Sequence, residues 1–258
     1  MIDSSAARVA LLTGGSRGIG AACVRALHAD GIAVAFSYVA ARDAAEALVR
    51  ELGTERAAAF PCDVADADAL PALVDACVAR FGRIDTVVNN AAIFAENPFD
   101  GTDYAAWRRG WARTFDVNLH GSANLAWLAM RAMRAQARGA AGVRGRIVNV
   151  ASRAAHRGEL TFADYGASKA ALVNLTKSIA RGCAADGIVA FAVCPGFIAT
   201  DMAAEAIELD GERIRGEIPS GRIGTPQDVA AIVAFLASGK ADYATGTAID
   251  VNGASYVR

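Results

Sequence analysis

The stretch Val9-Ala10-Leu11-Leu12-Thr13-Gly14-Gly15-Ser16-Arg17-Gly18-Ile19-Gly20 decides how this chain folds. Four apolar residues make a short buried strand, and the T-G-x-x-x-G-x-G run after them leads straight into a segment of helical period. Glycines permit a tight turn and let the backbone approach a pyrophosphate closely. The new helix adds unpaired N–H groups and the positive end of its dipole, so Gly14, Ser16, Arg17, Gly18, Ile19 and Gly20 form a loop suited to an anion. A glycine turn that merely packs helix on sheet would read similarly. The location, at the first strand-to-helix junction, favours a dinucleotide.

Outward from this loop, short apolar runs alternate with helical segments along the whole chain, the pattern of a parallel sheet covered on both faces. Strands are expected near residues 8–13, 32–38, 56–61, 84–89, 145–151, 188–194 and 247–251, with helices between them. Leu70, Leu73, Val74, Cys77, Val78 and Phe81 share one helix face, and Thr225 and Pro226 open another helix that carries Val229, Ile232, Val233 and Leu236. Two stretches break the rhythm, Gln136 to Arg146 and Thr200 to Gly224, and both read as surface excursions. The fold class expected is α/β: one Rossmann-type, doubly wound domain over residues 1–258.

Composition narrows the function classes. The chain has 258 residues, 54% of them hydrophobic, enough for a large core, and a net charge of −1 that gives no footprint for nucleic acid. The longest uncharged runs, such as Gly187 to Thr200, fall short of the roughly 18 residues of a membrane span. Met1 to Arg8 carries two charges and no apolar stretch, so no leader is expected and the cytoplasm is the default setting. His28, His120 and His156 match no metal-ligand spacing, and no metal site is expected. Cys23, Cys62, Cys77, Cys183 and Cys194 form no C-x-x-C pair and read as buried thiols.

At the end of the second strand, where NAD enzymes usually place an acid for the adenosine ribose, this chain has Tyr38. Arg17 in the glycine loop and Arg42 just beyond the strand would instead welcome a 2′-phosphate. NADP(H) is therefore preferred and NAD(H) stays open, since either arginine also suits a solvated surface.

Tyr165 and Lys169 lie four apart at the start of a helical pattern and share its face. A free phenol, with a pKa of about 10, is a poor base near neutrality, and a nearby ammonium lowers that value. The pair makes a general acid/base, with a solvated helix face as the bland alternative. Ser152 follows the fifth strand, at the carboxyl edge where ligands of doubly wound sheets sit.

Taken together, these marks strongly resemble the short-chain dehydrogenase/reductase family, and the resemblance covers essentially the whole chain. It is carried by the loop Thr13 to Gly20, Asp63-Val64, Asn89-Asn90-Ala91, Asn118, Ser152, Tyr165-x-x-x-Lys169, and Pro195-Gly196 with Thr200. The resemblance implies a seven-stranded parallel sheet in the order 3-2-1-4-5-6-7, with a substrate lid at about 200–224. It implies that Tyr165 transfers a proton to or from a carbonyl oxygen, Ser152 polarises that oxygen, and Lys169 holds the nicotinamide ribose and depresses the tyrosine pKa. Asn118 would anchor a water that links Lys169 to solvent. It implies adenine contacts for Asp63 and Val64, although Asp63 also suits a cap for the helix that follows. Asn90 and Ala91 would lie along the cofactor, and Pro195, Gly196, Ile198 and Thr200 would orient the carboxamide. One departure is Ala92, where the family pattern has glycine, and a positive φ there would make its Cβ interfere.

The expected reaction is hydride transfer between nicotinamide and a carbonyl or alcohol of a small molecule. Segments Gly221-Arg222-Ile223-Gly224 and Asp250-Val251-Asn252-Gly253 resemble those of 3-oxoacyl-thioester reductases, and also those of many sugar, steroid and polyol enzymes. An NAD-dependent dehydrogenase is the runner-up, and a cofactor-binding sensor or scaffold without turnover is the rival of another class. His156, Arg153 and Arg157 are candidate substrate contacts, with loop residues that face water as the bland alternative. Alanine-rich faces at Trp127 to Arg134 and Leu172 to Arg181 suggest a homo-oligomer, as dimer or tetramer.

Overall fold

The computed structural model describes residues 8–101, 103–139 and 142–257. Most of the charged N-terminal segment and Ala140-Ala141 of the first excursion lie outside the described residues. Strand β1 (Val9–Leu12) runs into helix α1 (Gly18–Ala29), and the unit repeats through β2 (Ala33–Tyr38), α2 (Arg42–Leu52), β3 (Ala57–Pro61), α3 (Leu70–Phe81) and β4 (Thr86–Asn89). The second half continues with α4 (Tyr104–Phe115), α5 (Gly121–Ala135), β5 (Gly145–Val150), α6 (Ala163–Gly182), β6 (Ile188–Pro195), α7 (Ala204–Gly216), α8 (Pro226–Ala237) and β7 (Ala248–Val251). The strands form one seven-stranded sheet in the order β3-β2-β1-β4-β5-β6-β7, and every pairing is parallel.

Because both faces of a parallel sheet are covered, its inner strands are largely buried, whatever their polarity. β1, β2 and β6 are buried at every position, whereas the edge strand β7 keeps partial exposure along its length. Alternate side chains serve opposite faces: Leu12, Phe36 and Val193 pack with Val24, Leu27 and Val233 of α1 and α8, while Leu11, Val87 and Ile147 pack with Leu73, Leu125 and Met133 of α3 and α5.

The two excursions behave differently. Gln136 turns its amide back onto Ile84, two residues before β4, accepting from Ile84 N at 2.7 Å and donating to Ile84 O at 2.9 Å. That stretch therefore lies at the amino edge of the sheet, away from the glycine loop. The second excursion is largely helical, with α7 broken at Asp210 (φ −142°, ψ 22°) and its base clamped where Ala199 N donates to Gly224 O at 2.8 Å. Helix α8 opens as its sequence predicts, with Thr225 as N-cap and Pro226 in the first turn, and Asp228 completes a reciprocal capping box.

Candidate active site

The loop between β1 and α1 is held from below by neighbouring strands. Thr13 Oγ1 accepts from the backbone N–H groups of Asn90 and Ala91, both at 3.0 Å, and the Asn90 amide donates to the carbonyls of Thr13 and Gly14 at 3.0 Å. Ser37 joins from β2, its Oγ accepting from Gly14 N at 3.3 Å. Asn90 thus shapes the loop together with Thr13, the first residue of the loop motif, and with Ser37, which sequence reasoning did not single out. A Cβ at Gly20 would collide with the Gly14 carbonyl, and Gly18 combines a φ of +53° with a side-chain position 3.3 Å from Thr200 Cγ2. The glycines are therefore required here, and they bring the start of the second excursion against the loop.

Arg17, the N-cap of α1, gives that helix no side-chain cap, and no acid stands in its first turn. The N–H groups at Gly18, Ile19 and Gly20 therefore face outward at a positive dipole end, a cradle that fits a diphosphate. Ser16 and Arg17 also border a cleft of about 400 Å³ lined by Gly18, Leu48, Glu51 and Gln227, which none of Ser152, Tyr165, Lys169 or Asn118 reaches. Sheet geometry, rather than this cleft, locates the chemistry.

Tyr38 closes β2 and is buried, while Arg42 stands exposed at the start of α2, 3.9 Å from Glu46. Asp63 accepts from Ala65 N and from Arg113, each at 3.0 Å, and these contacts hold its carboxyl below the usual range. It caps a local turn and not the following helix, because α3 begins only at Leu70 with Ala69 as N-cap. Val64 is buried against Gly121, where a Cβ would come within 2.5 Å of the Val64 carbonyl. Pro195 ends β6, Gly196 N donates to Val251 O at 3.0 Å, buried Ile198 bridges to Gly224, and Thr200 caps the turn Asp201–Ala203. Ala92 does not adopt a positive φ: among the described residues Ala254 (φ 65°) is the one non-glycine that does.

Asn118 occupies a π-helical turn, Asp116–His120, set between α4 and α5. Helical periodicity runs straight through this segment, so the sequence carries no sign of it. Such turns frequently mark functional sites. The fully buried Asn118 amide accepts from Ile93 N at 2.9 Å and donates to Ile93 O at 3.1 Å and Ser168 Oγ at 3.2 Å, which ties the loop after β4 to α6.

Ser152 caps the turn Arg153–Ala155, with its Oγ accepting from Ala154 N at 3.1 Å. Tyr165 and Lys169 lie one turn apart on α6, the Lys169 Nζ 5.7 Å from the centre of the phenol ring. The helix start that carries them is fixed by buried Asp164, which accepts from Thr114 Oγ1 at 2.8 Å, Asn97 Nδ2 at 3.2 Å and Tyr165 N at 2.8 Å. Phe94 braces the Tyr165 ring edge-on at 4.8 Å and itself stacks on Phe162 at 3.9 Å. Asp164 and Phe94 are positioning residues that sequence reasoning missed, because their partners come from remote elements.

The expected lowering of the Tyr165 pKa is not met in this chain. Burial pushes the phenol up to about 12, a side-chain hydrogen bond with Ser152 offsets part of that rise, and Glu159 and Cys194 add to it. Burial also draws Lys169 down to about 8, and its ammonium donates to Val150 O at 2.8 Å. Burial is the largest cause at both groups, and at Tyr165 it outweighs the Ser152 hydrogen bond. A second correction concerns Arg153, which is only 6% exposed and stacks over Phe197 at 4.6 Å. Burial and Arg157 both lower its pKa, and among the described residues its Nη1 has no hydrogen-bond partner. Four of the cysteines are buried, as expected, and Cys183 is partly exposed.

A nucleotide cradle at the carboxyl edge of a parallel sheet, with a serine, a tyrosine and a lysine converging beside it, defines a class: the chain belongs to the short-chain dehydrogenase/reductase family of oxidoreductases. The family model described as enoyl-(acyl carrier protein) reductase matches residues 14–254. Among curated relatives, the 3-oxoacyl-acyl-carrier-protein reductase FabG of Staphylococcus aureus is 38% identical over 250 residues, covering 96% of this chain and 98% of its own length. An acetoacetyl-CoA reductase of Shinella zoogloeoides is 39% identical over 250 residues, with the same coverage of 96% and 98%. Among solved structures, a short-chain dehydrogenase/reductase described as glucose/ribitol dehydrogenase, from Brucella melitensis, superposes with a TM-score of 0.88 at 33% identity, covering 97% of both chains. A blue fluorescent protein from a metagenomic library, in complex with NADPH, gives 0.87 at 37% identity, covering 97% of this chain and 98% of its own.

Proposed function

We propose that this chain is an NADP(H)-dependent carbonyl reductase whose substrate is a 3-oxoacyl thioester. The observation that carries the reading is placement: Ser152 just past the carboxyl end of β5, and Tyr165 one turn from Lys169 on α6, with a phenol that burial pushes up to about 12. A neutral phenol is a proton donor, and paired hydroxyls suit an oxygen that gains negative charge. Reduction of a carbon–carbon double bond, as in the name of the matching family model, would leave its proton on carbon instead.

Gly14, Ser16, Arg17, Gly18, Ile19 and Gly20 would hold the diphosphate of the cofactor. Arg17 and Arg42, with Tyr38 in place of an acid, favour a 2′-phosphate. Asp63 and Val64 would border the adenine, and Asn90, Ala91, Pro195, Gly196, Ile198 and Thr200 the nicotinamide half. When bound, the reduced nicotinamide supplies the hydride. Ser152 donates a hydrogen bond to the substrate oxygen, Tyr165 gives it the proton, and Lys169 steadies the phenolate that remains. Asn118 positions Ser168 and the loop at Ile93 and is the anchor for a solvent link to Lys169. The NADPH complex of one structural neighbour and the oxoacyl and acetoacetyl names of two relatives support this reading. Exposed Leu160, Met202 and Leu209, in and near the lid at 200–224, suit an acyl chain.

The same reading takes the chain as one cytoplasmic domain, assembled as a dimer or tetramer through the outer faces of α5 and α6, where Trp127 is 54% exposed. Among the described residues no helix is long and apolar enough to cross a membrane.

The test is a panel of 3-oxoacyl thioesters, 2-enoyl thioesters, sugars and polyols, each assayed with NADPH and NADH by absorbance. Fastest turnover of the 3-oxoacyl thioester with NADPH is expected, and Tyr165→Phe should reduce it about 10² to 10⁴-fold while NADPH still binds by fluorescence. Preferred turnover of an enoyl thioester or a polyol, or an undiminished Tyr165→Phe enzyme, would overturn the assignment.

A further inference from the structure

Parallel pairing sets Cys194 of β6 directly beside Asp250 of β7. Register partners in a parallel ladder point to the same side, and for Cys194 that side is the one on which Ala192 and Val173 pack. His156, which follows the short turn that Ser152 caps, brings its Nε2 to 3.6 Å from Cys194 Sγ, and its ring stacks on Tyr256 at 6.1 Å with 7° between the planes. One ligand atom from each of His156, Cys194 and Asp250 lies within 4.8 Å of the other two. The spacing 156, 194, 250 carries no metal signature in the sequence, so the cluster arises only from the fold.

We propose that His156, Cys194 and Asp250 form a three-ligand site for one divalent ion of the zinc class. An imidazole, a thiolate and a carboxylate are the donors such an ion takes. A tetrahedral zinc, with Zn–S of about 2.3 Å and Zn–N of about 2.0 Å, keeps sulfur and nitrogen roughly 3.5 Å apart, close to the separation already present. Binding replaces the Cys194 S–H bond by a sulfur–metal bond and sends that proton to solvent, while His156 coordinates as the neutral imidazole. The three protein ligands leave a fourth position for water or an added ligand. Cys194 is fully buried, and the partly exposed His156 and Asp250 provide the way in. Cys194 is among the groups whose electrostatics reach Tyr165 and Lys169, so the ion would sit beside the catalytic pair.

The probe is cobalt(II), added to the metal-stripped full chain and followed by absorbance. One equivalent should bind, with a near-ultraviolet thiolate-to-cobalt band, intense visible bands of tetrahedral cobalt, and release of about one proton per ion near neutral pH. Zinc(II) should displace the cobalt. Cys194→Ala should abolish the thiolate band, and His156→Gln and Asp250→Asn should each weaken binding at least about tenfold. Cys183→Ala, at the partly exposed thiol, should leave the spectrum unchanged. Circular dichroism melts verify that each variant folds, and His156→Gln, on a partly exposed turn, decides the matter if Cys194→Ala does not fold. A thiolate band that survives Cys194→Ala, unchanged affinity in His156→Gln, or no stoichiometric binding to the unmodified chain would overturn the site.

Discussion

The two edges of this one sheet treat charge in opposite ways. At the amino edge, charged groups are matched: Arg83 makes a two-point contact with Asp85 at 2.8 and 2.6 Å, the same carboxylate accepts from Val9 N at 2.8 Å, and Arg146 and Asp242 pair at 2.8 and 2.6 Å. At the carboxyl edge, among the described residues, Lys169 is buried with no carboxylate among its hydrogen-bond partners, Tyr165 is held protonated, and a guanidinium N–H of Arg153 is buried without a partner. Bidentate, well-bonded pairs fix strand ends. Desolvated, incompletely matched groups are costly to bury, and they are what proton transfer requires. One edge serves stability and the other chemistry.

Mutations can break that contrast. Lys169→Met should lower turnover about 10²-fold or more, since it removes the charge beside the phenolate, yet leave the melting temperature unchanged or raised, because an apolar side chain is cheaper to bury there. Asp242→Ala should do the reverse. With both side chains of that pair at most 15% exposed, stranding Arg146 should cost about 3 kcal/mol, or roughly 6–12 °C of Tm, with turnover per folded molecule preserved. Stability loss in the lysine variant together with activity loss in the aspartate variant would erase the distinction between the edges.

A smaller effect is expected at the rim of the cradle. Arg17→Ala should weaken NADPH binding about tenfold and NADH binding much less, as measured by fluorescence titration. Equal losses for both cofactors would remove Arg17 from recognition of the 2′-phosphate.

The smallest effect is on pH dependence, and its sign follows from the two pKa directions. Tyr165 stays protonated up to about 12, so it does not limit proton donation near neutrality, whereas Lys169 loses its proton around 8. The kcat/KM for reduction should therefore be flat below about pH 8 and fall above it, by at most about tenfold per pH unit. A reductive rate that climbs between pH 7 and 9 would place the controlling proton elsewhere.

Much of this was legible before any coordinates. The strand-loop-helix run from Val9 to Gly20 is dictated by local rules, and the alternation of apolar runs with helical periods led to the observed strand order through the family resemblance. Thr225 and Pro226 announced α8 from their caps alone. The π-helical turn at Asn118 was not legible, because it perturbs one turn of an otherwise regular helical pattern. Nor was the role of Asp164, whose partners Thr114 and Asn97 are 50 and 67 residues away in the chain.

The sequence by itself determined the order of elements, the glycine cradle, and the Tyr165–Lys169 spacing, since each depends on residues within a few positions of one another. Only the tertiary structure decided the dryness of the crevice, and with it the direction in which Tyr165 and Lys169 titrate, because desolvation depends on everything packed around a group. It alone also brought His156, Cys194 and Asp250 together, through a strand register and a turn that no local pattern encodes.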